Sequence, residues 1–145
     1  MSKIIVGHVR SPPAGYQCVI CDRTSFLGNP YGFNEEKYRD ASVKNCGLWL
    51  WDNFKLSEEL DCMPIEMTFY TNAPIYTIEG LHIAQGFKNP TVSEVMRELQ
   101  FIADVVNQTG NVALLCWCKG NKNPKIEDKA CHCDRIKACI ERLFL

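Results

Sequence analysis

Residues 112–115 read Val-Ala-Leu-Leu, an apolar run that ends in Cys116-Trp117-Cys118 and has helical sequence on either side of it. Upstream, Thr91 and Glu94 stand at capping-box spacing. Val92, Val95, Met96, Leu99, Ile102 and Val106 then recur on one helical face through about residue 107, and Gly110 follows as a stop. Downstream, a polar loop at 119–130 leads into Cys131-His132-Cys133-Asp134. A helix is expected from 132 or 133 to 143, with Ile136, Cys139, Ile140 and Leu143 as its apolar stripe. Helix, strand and helix in succession predict helices packed on a sheet with at least some parallel strands.

The rest of the chain fits that frame. Residues 3–10, rich in Ile and Val, read as a first strand, and the Pro12-Pro13-Ala14-Gly15 stretch as a turn. Residues 16–21 read as a second strand. The loop at 22–30 follows it, where Gly28 can take a positive φ and Pro30 biases Asn29 away from helix. Asn34 is a plausible N-cap for a helix over 35–54, with Val43, Cys46, Leu50 and Phe54 on its buried face. Residues 61–89 read as a β-rich insertion, with short strands at 66–70, 75–78 and 81–84. His82, a lone histidine among apolar neighbours there, reads as structural.

The expected fold is therefore a single compact α/β domain over 1–145. It is three-layer-like, with a small central sheet, about three helices and the 61–89 insertion. A chain of 145 residues, 46% hydrophobic and 23% charged, is enough for one domain with a proper core. The net charge of -1 gives no strong case for nucleic acid. No apolar run approaches the ~18 residues that a membrane span needs. Nine cysteines cannot all pair within one chain. The apolar run at 4–6 is too short for an export signal, so free thiols or metal thiolates in a cytoplasmic protein are expected.

Chemistry is expected where the late strand ends and the last helix begins, because ligands collect at the carboxyl ends of strands in open α/β sheets. Cys116 and Cys118 would share one side of the strand, with Trp117 opposite. A thiolate at a helix start has a lowered pKa, which suits a nucleophile or a metal ligand. One reading is a metal site: Cys116, Cys118, Cys131 and Cys133 holding Zn²⁺, with His132 as a spare ligand. Paired zinc cysteines usually have two or more residues between them, so this spacing is unusual. A second reading is catalysis, with Cys116 or Cys131 as nucleophile, His132 as acid or base and Asp134 orienting it or capping the helix. The third is packing alone, which is the preferred reading for Cys46 and Cys139. In the early loop, Arg23 and backbone N–H groups could meet an anion.

The chain resembles the family known as the domain of unknown function numbered four-three-two-six, found in bacteria and many bacteriophages. The likeness rests on His8 in the first strand; on Arg23 and Ser25 followed by Gly28, Asn29 and Pro30; on Arg39 near a helix start; and on Cys116-Trp117-Cys118 with Cys131-His132 and Asp134. It departs from the pattern at Asp22, where the family has Gly, and at the longer 119–130 loop. It departs again at Cys133, which adds a thiol where the family has a small residue. The resemblance implies an accessory, phage-encoded intracellular protein and puts His8, Arg23, Ser25, Gly28, Asn29 and Arg39 at a ligand site. The functional expectation is binding or processing of a nucleotide or nucleotide-derived, phosphate-bearing ligand in a cleft between the 23–30 loop and the Cys116/His132 helix start. The alternative is a non-enzymatic phage–host interaction protein, which binds a host protein and uses its cysteines for structural zinc.

Overall fold

Strand β5 (Asn111–Cys116) is buried along nearly its whole length, and this follows from its position. In the computed structural model, which describes residues 3–22, 24–59, 79–117 and 131–145, β5 is the middle strand of a three-stranded sheet. Its neighbours are β1 (Lys3–His8) and β2 (Gln17–Ile20), both parallel to it. The register runs from Lys3↔Asn111 to His8↔Cys116 on one side and from Gln17↔Val112 to Ile20↔Leu115 on the other. All three strands therefore end at the same level. Two bonds extend the ladder there: Val9 N–H donates to Cys116 O at 3.1 Å, and Cys21 N–H to Leu115 O at 2.8 Å.

Parallel strands of one sheet need a crossover connection, which is usually helical. Here residues 9–16 cross from β1 to β2 without one. The crossover runs close to the sheet: a Cβ on Gly7 would meet Pro13 Cδ at 3.9 Å and Leu115 Cδ2 at 3.2 Å. The first strand is shorter than the expected 3–10, because Ser11 N–H turns back to His8 O at 3.0 Å.

Three α-helices lie among the described residues: α1 (Arg39–Glu59), α2 (Val92–Thr109) and α3 (His132–Leu143). Helix α2 contacts β2 and β5, α3 contacts β1 and β5, and the two helices touch each other. Helix α1 packs on α2 and α3. A two-stranded antiparallel ribbon, β3 (Tyr31–Gly32) with β4 (His82–Ile83), adjoins α1. The expected mixed α/β architecture with parallel strands is what forms. One core cluster runs through it, from Ile4 and Cys21 through Trp49, Leu99 and Leu114 to Ile140.

The capping box of α2 is complete: Glu94 N–H donates to Thr91 Oγ1 at 3.2 Å, and Thr91 N–H to Glu94 Oε1 at 2.9 Å. Gly110 ends the helix at φ 84, where its missing Cβ removes the cost of a left-handed turn. Helix α1 starts differently from expectation. Asn34 does not cap it; a 3-10 turn at Glu36–Tyr38 leads in, and the helix begins at Arg39 and runs on to Glu59. Arg39 pairs with Glu36 through two 2.8 Å bonds, which holds that turn closed where a side-chain cap is lacking. Of the expected insertion strands, 81–84 contains β4, while 66–70 and 75–78 lie outside the described residues.

The burial contrast predicts two different losses in urea unfolding. Leu114→Ala opens a cavity in the middle strand and lowers stability by about 2–5 kcal/mol. Thr91→Ala removes one half of a cap and costs about 1 kcal/mol.

Candidate functional site

The level ends of β1, β5 and β2 put His8, Cys116 and Cys21 along one rim, and the first turn of α3 is seated against it. Cys131 is the N-cap of α3, and its extended backbone lets its own side chain turn onto the helix end. Cys133 N–H donates to Cys131 Sγ at 3.5 Å, and Cys131 N–H donates to Asp134 Oδ2 at 3.1 Å. This is a capping box with sulfur in the place of the usual hydroxyl. Asp134 thus serves as a cap. The ring of His132 is oriented by another group, because its Nε2–H donates to the backbone carbonyl of Cys21, just past β2. That bond sets the tautomer and aims Nδ1 at Cys131 Sγ, 3.8 Å away.

The cysteines converge. Cys116 Sγ and Cys131 Sγ approach to 2.6 Å, and Cys133 Sγ lies 4.0 Å from His132 Nε2. The ligand atoms of Cys116, Cys131, His132 and Cys133 all lie within 4.8 Å of one another and all four residues are buried, a group that could hold a metal ion. Cys118, expected as a fourth sulfur, lies outside the described residues, and His132 stands in the set. Cys21 was not expected at the site, yet its thiol contacts that of Cys133. Only the pairing of β2 with β5 brings it there, and nothing local in Val-Ile-Cys announces that pairing.

Burial favours neutral His132, but the hydrogen bond and charge of Cys131, the charge of Cys116 and the Cys21 carbonyl outweigh it and lift its pKa to about 9. The Cys133 thiol is held protonated, because its S–H is shared with the sulfurs of Cys116, Cys131 and Cys21 and because it is buried. Away from the site, burial alone pushes Cys139 up to about 11, and burial is the main cause of the rise at Cys46. Both lie in the core cluster.

A cleft of about 670 Å³ opens above this floor. Cys116, Trp117 and His132 line it together with Asp22, Asn29, Phe33, Arg39 and His82. Asn29 and Arg39 from the early part of the chain therefore share one hollow with Cys116 and His132. Arg39 carries its guanidinium 5.1 Å from the Phe33 ring centre. Asp22 accepts from Trp117 Nε1 at 3.1 Å and from Thr24 N–H at 2.9 Å. Burial raises the Asp22 pKa, but the bond from the Thr24 hydroxyl, those from Thr24 N–H and Trp117, and the charge of His132 bring it below its ordinary value.

The other expected ligand residues that the structure describes are not among those lining the cleft. Arg23 lies outside the described residues. Ser25 and Gly28 build the turn: Ser25 Oγ accepts from Leu27 N–H at 2.9 Å, and Ser25 O from Gly28 N–H at 3.2 Å. Gly28 does not take the positive φ expected of it. His8 stands edge-on to Trp117, with ring centres 5.6 Å apart, and its Nδ1 accepts from Arg10 N–H. Trp117 follows β5, is 52% exposed and has Arg10 over its ring. His82 is exposed on the cleft wall rather than built into the core. Gly32 makes room for it, since a Cβ there would come within 2.5 Å of His82 Nε2.

Asn29 shapes the wall through its side chain. Its Oδ1 accepts from Tyr31 N–H at 2.9 Å, and its Nδ2 donates to Ser42 Oγ at 2.8 Å. Ser42 in turn donates to Tyr31 O at 2.8 Å. Asn29→Ala strands buried polar groups at this junction and should lower stability by about 1–3 kcal/mol in chemical denaturation. A loss well under 1 kcal/mol would show that the bend does not need this network.

No curated protein matches the chain, and no solved structure matches it. A protein-family model does match, over residues 8–142, and it spans both the early bend and the closing cysteine–histidine helix start. The chain belongs to the family described as Domain of unknown function (DUF4326).

Proposed function

We propose that the protein binds a small phosphate-bearing ligand, a nucleotide or a nucleotide derivative, in the cleft between the Asn29 bend and the start of α3. The observation that carries this reading is that one cleft of about 670 Å³ is lined by both Arg39 and the Cys116/His132 floor. Its volume is that of a small-molecule site. Arg39 offers a planar fork suited to a phosphate. One of its present partners, Glu36, has a side chain 60% exposed and can turn out into water when a phosphate takes its place. Phe33 and Trp117 give flat apolar surface for a base. Asn29 is committed to the wall, and His82 and Gln85 are among the lining's other polar side chains, suited to reading the ligand's edges.

A thiol and an imidazole line the floor of this cleft: Cys116 would serve as nucleophile and His132 as proton carrier when neither holds a metal.

The reading is tested by thermal shift and calorimetry with a panel of inorganic phosphate, nucleosides, and nucleoside mono- and diphosphates. At least one phosphorylated member should bind, and Arg39→Ala should weaken it by about tenfold or more. Arg39→Lys should recover only part of the loss, because it keeps the charge without the fork. Binding that is indifferent to Arg39, or a panel without a single binder, removes the proposal.

A further inference from the structure

We infer that Cys116, Cys131, His132 and Cys133 form a Zn²⁺-type metal site that ties the tip of β5 to the first turn of α3. The site stands whether or not a ligand occupies the cleft above it.

The donor set is the first ground. Three thiols and one imidazole, all buried and within 4.8 Å of one another, are the soft and borderline donors that zinc selects. Distances are the second. A zinc tetrahedron, with sulfur at about 2.3 Å and nitrogen at about 2.0 Å, sets neighbouring donors about 3.5–3.8 Å apart. His132 Nδ1 and Cys131 Sγ already stand 3.8 Å apart. The Cys116–Cys131 pair, at 2.6 Å, is closer than that. An ion seated between those two sulfurs spreads them by about 1 Å.

The surroundings are the third ground. A metal-bound histidine ordinarily donates its other ring N–H to a carbonyl or carboxylate, which frees one nitrogen for the ion. His132 does this: Nε2–H is held by the Cys21 carbonyl, and Nδ1 turns to the Cys131 sulfur. Cys131 Sγ accepts the Cys133 N–H, and Asp134 holds the Cys131 N–H, so the ligand-bearing turn is rigid before any ion arrives. The helix N-terminus favours the thiolate charge. On binding, His132 would give up the Nδ1 proton it carries below its raised pKa, each thiol that becomes a ligand would give up its own, all to solvent, and four protein donors would leave the ion no open position.

The test uses the full-length chain, freed of any affinity tag and kept reduced under inert gas. Zinc is counted per chain, Co²⁺ is substituted for it, and X-ray absorption reads the shell. Stoichiometric zinc, thiolate-to-cobalt charge-transfer bands and a shell of three sulfurs and one nitrogen are expected. Cys116→Ser and Cys133→Ser should each weaken the metal by about tenfold or more, while Cys18→Ser, on β2 outside the set, should keep it. Should a variant fail to fold, thiol counting on the wild type serves instead: loaded protein should keep three more thiols from the reagent than chelator-treated protein does, beyond the buried Cys21, Cys46 and Cys139. Substoichiometric zinc in protein supplied with the metal, cobalt spectra without thiolate bands, or a Cys116–Cys131 disulfide in protein handled under these conditions each overturns the site.

Discussion

The seating of the first turn of α3 on the tip of β5 is the constraint on which the rest of the site depends. A helix start carries unpaired N–H groups and cannot be buried without partners for them. Here the chain supplies those partners from the turn itself. Cys131 sulfur takes one N–H, and the Asp134 carboxylate takes another. With its polar ends met, the turn can sit in dry surroundings, and His132, Cys133 and Cys131 can all be buried beside Cys116. The histidine then needs a partner for its ring, and the end of β2 presents the Cys21 carbonyl. The third strand of the sheet thereby fixes the orientation of the side chain that matters most on the last helix.

That dependence separates what was legible in the sequence from what was not. Features written by neighbours in the chain were readable. The Thr91/Glu94 box, the Gly110 stop, the apolar run of β5 and the start of α3 each rest on contacts spanning a few residues. The parallel sheet was readable only as a class. The order β1-β5-β2 rests on a helix-free crossover at 9–16, which a run of prolines and glycine advertises merely as a turn.

The site divides in the same way. Cys116 and His132 were marked by their own neighbours. Cys21 and His82 were not, because one reaches the site through the β2–β5 pairing and the other through the β3–β4 pairing. Asn29 was visible as part of a bend, yet its side chain belongs to the scaffold, bridging Tyr31 and Ser42. A residue type that suits a ligand suits a turn equally well, and only the partners decide between the two.

The proposed cleft ligand and the proposed metal constrain each other through charge. Three thiolates and a neutral imidazole around Zn²⁺ would leave the floor with one net negative charge. Asp22, with its pKa below the ordinary value, adds another along the lining. A phosphate would therefore be repelled from the floor and drawn to Arg39, which stands on another element at the start of α1. An extended ligand would enter in one orientation, with its anionic end at the guanidinium and its uncharged part over Cys116 and His132. A filled sulfur cluster would thus help to set which end of a ligand meets the floor.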